Sequence, residues 1–297
     1  MSNKLRKMTL EKKHNLTGWA FLAPATFLIA VFSFWPMIKA LVLSFQTGKG
    51  RNMQMAGFTN YIRMFQDDVF IQSIKNTFFY FIIQVPIMLV VALVLACILN
   101  KKDLRFKGFF RTMIFVPCTT SLVAYSIIFR SLFANNGLVN YVLVNIGILD
   151  KPYNFLTQPF AAKIVIILAL LWRWTGYNMV FFLSGLQNIE YSVYEAAKID
   201  GASAIQTFFK ITVPLLKPTI LLTAIMSTNG TLQLFDESIN LTDGGPANAS
   251  ISMSHYIYNL CFKYVPNFGY AAAMSFFILL LVAVLAFIQM RVGDKRD

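Results

Sequence analysis

An all-α membrane protein with six transmembrane helices is the fold class that the sequence predicts, on three observations. Hydrophobic residues make up 57% of the 297-residue chain and charged residues only 13%, a balance outside the range of soluble globular proteins. The apolar residues gather in runs of about 20, the length that crosses a hydrocarbon core of roughly 30 Å. Lys and Arg collect between those runs, as they do where basic loops stay on the cytoplasmic side of a membrane.

The first run, 19–38, follows the basic residues Lys4, Arg6, Lys7, Lys12 and Lys13, a start that would also suit a signal peptide. It is too long for the apolar region of such a peptide, contains Pro24 and Pro36, and lacks a clear small-x-small cleavage site, so it is expected to stay as a helix. The remaining runs are 77–99, 109–129, 164–186, 219–235 and 270–290, the fifth being the least apolar. Pro24, Pro86 and Pro117 each remove a backbone donor inside a run and predict kinks. A basic cluster at Lys101, Lys102, Arg105, Lys107 and Arg111, and another at Arg291, Lys295 and Arg296, orient the chain with both termini and the loop after the fourth run in the cytoplasm. The outer connections, 46–76, 130–163 and 236–269, are too short for a large external domain. Lys39 and Lys75 fall at outer helix ends, where long side chains reach from lipid to water.

The net charge of +13 would suit nucleic acid, but its confinement to the loops between apolar runs makes it a topology signal and argues against that partner. Cys97, Cys118 and Cys261 have no CxxC spacing and serve as small apolar fillers. His14 and His255 cannot build a metal motif. Gly48-Lys49-Gly50 is no phosphate cradle, so the chain is expected to hold no cofactor and hydrolyse no ATP by itself.

The loop between the fourth and fifth runs carries the chemistry. Ser192 with Glu195 three residues on has the spacing of a capping box, Glu195-Ala196-Ala197-Lys198 is a strong helix former, and Gly201 ends that helix or turns the chain. A second short helix places Ile205, Phe208 and Phe209 on one side before Pro214 and Pro218 lead into the fifth run. Taken alone, this stretch is equally an amphipathic pair lying on headgroups.

The order Glu195-Ala196-Ala197, three residues, Gly201, nine residues, Ile211-Thr212-Val213-Pro214 resembles the EAA loop of ABC importer permeases, with Val213 where the pattern prefers Leu. After the fifth run, Leu241-Thr-Asp-Gly-Gly-Pro246 with Ser250 in place of a usual Thr is similar to the segment of the carbohydrate-uptake branch, in the subunit type that pairs with a different second permease, as in maltose transporters. The stretch from Gly230 to Ser238 is further similar to permeases for oligosaccharides of the raffinose and lactose type. The resemblance implies one transmembrane domain over 1–297 in a bacterial cytoplasmic membrane, with a cytoplasmic coupling loop at 188–217. It implies as partners a second homologous permease, two ATPase subunits that would hold ATP and Mg, and an extracytoplasmic sugar-binding protein. By the same resemblance Glu195, Ala196, Ala197, Asp200, Gly201 and Ala202 would dock and couple the ATPase.

A sugar path needs hydrogen-bonding groups beside flat apolar faces. Trp174, Tyr177 and Asn178 share one face of the fourth run, and Ser227, Gly230, Thr231 and Leu234 one face of the fifth, with Gln233 and Asp236 nearby. Each of these residues has a plain alternative as an interfacial anchor or a helix-packing contact. Arg173, inside an apolar run, requires a cavity or a partner, either Asp236 or Glu237 or the companion permease. A secondary transporter would want carboxylates at mid-membrane, an intramembrane enzyme a nucleophile with its base, and a receptor would leave the loop spacing unexplained.

Overall fold

The computed structural model describes residues 10–49, 52–101 and 103–293. Lys4, Arg6, Lys7, Gly50, Lys102, Lys295 and Arg296, and the side chains of Lys12 and Lys13, lie outside the described residues.

Helices account for nearly all regular structure. α1 (Leu10–Ile29) runs through Pro24 and, by a wider turn at Ala30–Phe34, continues into α2 (Trp35–Ser44). A two-stranded hairpin of β1 (Gln46–Lys49) and β2 (Asn52–Met55) follows, then α3 (Thr59–Met64). Asp67 caps α4 (Asp68–Asn100), its carboxylate accepting from the N–H groups of Val69 and Phe70 at 2.9 and 3.1 Å. α4 passes Pro86 unbroken and, at 33 residues, is long enough to span a bilayer with turns to spare.

The expected third span is instead two helices, α5 (Lys107–Thr119) and α6 (Leu122–Leu132), bent by 98°. Pro117 supplies the cause: it withholds a backbone N–H, and the chain leaves the helix at Thr120, which is extended. α7 (Leu138–Asn145) and α8 (Pro159–Gln187) follow, the latter starting on a proline in its first turn. The loop after α8 holds α9 (Tyr191–Ile199), α10 (Ala204–Thr207), a wide turn at Phe208–Thr212 and α11 (Val213–Leu215). α12 (Lys217–Leu232), α13 (Asp236–Thr242), α14 (Met253–Tyr258) and α15 (Phe268–Gly293) complete the chain.

Among the described residues, four segments are long and apolar enough to cross a membrane alone: His14–Ser44, Asp68–Asn100, Pro159–Gln187 and Phe268–Gly293. The α5–α6 pair and the Ala204–Leu215 plus Lys217–Leu232 pair, bent by 71°, bring the number to six when each bent pair is one span. The low hydropathy of the fifth run has its counterpart in α12, only 16 residues long.

α4 and α8 lie side by side and run parallel. Tyr80 packs with Ile166, Ile167 and Leu170 at one level, and Ala92, Ala96 and Leu99 with Met179, Phe182 and Leu186 at another, the small alanines permitting close approach. α12 runs antiparallel to α15, joined where Gln289 donates to Thr228 Oγ1 at 2.7 Å. The expected outer connections are partly folded: Asn60 donates to the carbonyls of Ser44 and Gln46, and Asn76 to those of Asn248 and Ile251. Lys39 stands over the Trp35 ring at 5.1 Å.

Candidate functional site

The helices line a cavity of about 330 Å³, open on one side, between α4, α6, α8, α12 and the start of α13. All nine residues picked from the sequence for a sugar path line it: Trp174, Tyr177, Asn178, Ser227, Gly230, Thr231, Gln233, Leu234 and Asp236. Helical spacing accounts for the first three, since residues 174, 177 and 178 fall on one face of α8. They lie near its midpoint, which sets the cavity about halfway along the span.

A polar floor links three helices. Thr231 donates to Gln84 Oε1 at 2.9 Å, Gln84 to Met88 Sδ at 3.1 Å, and Ser227 to Asn178 Oδ1 at 3.2 Å. Asn178 in turn donates to the Trp174 carbonyl at 3.1 Å. The wall is aromatic: the Trp174 and Tyr177 rings meet edge to face at 5.9 Å, and both are partly exposed to the cavity. A flat apolar face beside hydroxyl- and amide-bearing side chains suits a sugar ring.

Gln84 and Met88 were not singled out in the sequence. They sit in the middle of α4, whose run of apolar residues marks no face as special, and only its packing on α8 turns them inward. Glu237 also lines the cavity; it is buried and accepts a hydrogen bond from the Tyr125 hydroxyl.

Arg173 pairs with neither acid anticipated for it. Its guanidinium donates to the Thr120 carbonyl at 2.8 Å and reaches that of Cys118 at 3.5 Å, and it stacks over Tyr125 at 4.8 Å and Trp174 at 5.3 Å. The carbonyls left without partners where α5 breaks explain the preference. Arg173 thus braces the break, and its Nε has no partner among the described residues.

In the loop after α8, the helix begins at Tyr191 with Glu190 as its cap residue, so Ser192 already lies inside and the expected Ser192–Glu195 capping box does not form. Ser192 donates instead to Glu190 at 3.3 Å. The capping box is one helix later: Ser203 Oγ accepts from the Gln206 N–H, and Gln206 Oε1 accepts from that of Ser203. Gly201 does end α9, at φ +77, with the Ala202 N–H bonded to the Ala197 carbonyl and its own to that of Lys198, the paired bonds of a Schellman cap. Glu195, Ala196, Asp200 and Gly201 are exposed, Ala202 is half-buried, and Ala197 is buried. Phe208 turns into the cluster around Phe182 and Leu186, while Ile199, Ile205 and Phe209 stay exposed at 85%, 72% and 65%.

The Leu241–Pro246 segment is more than a turn. Ser250 Oγ meets Thr242 Oγ1 at 2.7 Å and donates to the Gly245 carbonyl, while the Ser250 carbonyl accepts from Tyr80 at 3.0 Å and Ser238 at 3.1 Å. His255 is fully buried beside it, Nδ1 2.9 Å from Ser238 Oγ and Nε2 3.7 Å from Asp243. Burial pushes the His255 imidazole down to about 4, against the pull of Asp243 and with the help of Lys263. Nearby, Asp67 receives the hydroxyls of Tyr256 and Tyr270 at 2.7 and 2.8 Å. Its burial works to raise the carboxyl, but these phenols and the backbone N–H groups of Phe70 and Val69 outweigh it and hold the group below its ordinary value.

Residues 68–296 match the family model described as binding-protein-dependent transport system inner membrane component. The lactose transport system permease protein LacF of Rhizobium radiobacter is 51% identical over 98% of both chains. The arabinooligosaccharides transport system permease protein AraP of Bacillus subtilis is 31% identical, over 93% of this chain and 88% of its own. The multiple sugar-binding transport system permease protein MsmF of Streptococcus mutans is 33% identical, over 97% and 99%. A bacterial alginate ABC transporter, solved with an alginate pentasaccharide-bound periplasmic protein, superposes with a TM-score of 0.84 at 25% identity over 96% of each chain.

Proposed function

The chain belongs to the family of binding-protein-dependent transport system inner membrane components, and from that premise we propose that its central cavity is one half of the path by which a di- or oligosaccharide crosses the membrane. The protein is a multi-pass inner membrane permease subunit of a sugar ABC importer, a transport subunit and not an enzyme. The observation that carries the path is the convergence of nine residues, from α8, α12 and the segment leading into α13, on a single polar and aromatic cavity at mid-span.

In this reading a second homologous permease closes the open side of the cavity. Two ATPase subunits, holding ATP and Mg, dock on the loop at 188–217, within a single transmembrane domain spanning 1–297. Glu195, Asp200 and the exposed Ile199 and Ile205 offer them charge and apolar surface, and Ala196, Gly201 and Ala202 let that surface approach closely. Both termini then lie in the cytoplasm, and an extracytoplasmic sugar-binding protein delivers substrate to the opposite end. LacF is named for lactose, which makes lactose the first sugar to try.

The test is uptake of a panel of neutral and acidic di- and trisaccharides, lactose and raffinose among them, by proteoliposomes holding the complete importer. Trp174→Ala, Tyr177→Ala and Thr231→Ala are expected to reduce uptake of the transported sugar about tenfold or more each, because each removes a ring face or a floor contact. Unchanged uptake in all three, with normal assembly, would rule the cavity out as the path.

A further inference from the structure

We propose that Asp236 makes this half of the path selective for uncharged saccharides, accepting hydrogen bonds from sugar hydroxyls and turning away sugars that carry a carboxylate. The inference rests on the cavity being the sugar path. Asp236 and Glu237 both line the cavity, and its lining includes no Lys, Arg or His. Glu237 is buried and engaged by Tyr125. Asp236 differs: it is only partly buried, and its carboxylate takes no hydrogen bond or ion pair from any described residue.

The other polar groups in the floor are committed to one another, Thr231 to Gln84 and Ser227 to Asn178. A free carboxylate is therefore the strongest acceptor left for an entering hydroxyl, and an ionised acceptor binds such donors about twice as strongly as a neutral one. A sugar acid meets the opposite situation. Arg173, next to Trp174 in the chain, has its guanidinium drawn to the carbonyls of Thr120 and Cys118 and stacked on Tyr125. No basic side chain lines this wall to balance a carboxylate on the ligand, and the cavity is open on one side, so the two like charges repel through solvent whose salt can screen them.

The experiment uses the complete importer in lipid nanodiscs, without nucleotide or binding protein, so that the permeases alone choose. Calorimetry compares the neutral sugar that the uptake panel identifies with its uronic acid analogue, in which one CH2OH is a carboxylate and the rings are kept. The unmodified importer is expected to bind the neutral sugar about tenfold tighter or more at low salt, with the gap narrowing at high salt as the repulsion is screened. Asp236→Asn is expected to weaken the neutral sugar several-fold and to remove most of the discrimination. Transport of an acidic sugar as the main substrate, discrimination in the unmodified protein that ignores salt, or an Asp236→Asn importer that still discriminates fully would each overturn the proposal. The salt series needs no variant, so a failure of Asp236→Asn to assemble leaves the test standing. Trp174→Ala, Tyr177→Ala and Thr231→Ala separate the two readings: if all three bind sugar like the unmodified importer, the cavity is not the path, whereas loss of binding in them with Asp236→Asn unaltered removes the role of Asp236 alone.

Discussion

Gly230 stands on the cavity-facing side of α12, and a Cβ built there would meet nothing within 4 Å. Packing therefore does not require glycine; the open wall does. Gly230→Leu is expected to insert a branched side chain into the cavity and cut sugar uptake about tenfold or more, with normal expression and thermal stability. Uptake close to that of the unmodified importer would mean that the sugar passes elsewhere. Gly176 is the opposite case, because a Cβ there would sit 1.9 Å from the Ile114 carbonyl, where α5 crosses α8. The two glycines look alike in the sequence, and only the approach of a neighbouring helix separates them. The face formed by Trp174, Tyr177 and Asn178 was legible because three residues at helical spacing declare their shared side. The partners of Arg173 were not, since they are backbone carbonyls freed by a helix break more than 50 residues away.

At the scale of elements, the proposed coupling loop depends on how α9 stops. Gly201 sits at φ +77, a conformation that costs an L-residue roughly 1–2 kcal/mol, yet nothing lies within 4 Å of its missing Cβ. Gly201→Ala is thus expected to fray the Schellman cap without a clash, and to lower sugar-stimulated ATPase activity more than it lowers ATPase docking. Retention of full stimulation would show that the bend is not needed for coupling. Ser203→Ala, which removes the capping box of α10, is expected to destabilise this loop by about 1 kcal/mol, read as faster hydrogen exchange across 203–212. The sequence marked Gly201 because glycine alone is at ease there. It misled at Ser192 because a Ser-x-x-Glu spacing does not say where the preceding chain turns, and the turn at Asn188–Ile189 delays the helix start to Tyr191. The run expected at 109–129 is a bent pair for a related reason: hydropathy counts apolar residues and does not give the 98° bend at Thr120, which only the kink expected at Pro117 anticipates.

Across the whole molecule, titratable contacts concentrate at the end that carries α3, α14 and the start of α15. His255 is neutral in the folded protein, its value pushed down to about 4 from 6.5. The unfolded chain therefore takes up a proton first as pH falls, and the stability that depends on neutral His255 is present above pH 6.5 and lost on the way down to about 4. Asp67 has the same sign at lower pH: held below 3.8, it stabilises above that value and loses its contribution as pH falls through its folded one. Thermal unfolding of the purified importer is expected at lower temperature at pH 5 than at pH 7.5, and His255→Asn should flatten that acid limb. An equal slope in the variant would assign the effect to other groups.

The cavity floor has one more implication. Gln84, Asn178, Ser227 and Thr231 satisfy one another across three helices, and none of these side chains gains or loses a proton in the physiological range. A cell that stores energy as a proton gradient loses it through any relay that carries protons across the bilayer. A floor of amides and hydroxyls would let hydroxylated cargo exchange hydrogen bonds at mid-span while itself offering protons no titratable stepping stone, so a proton relay starting from Asp236 or Glu237 finds no titratable partner in the floor.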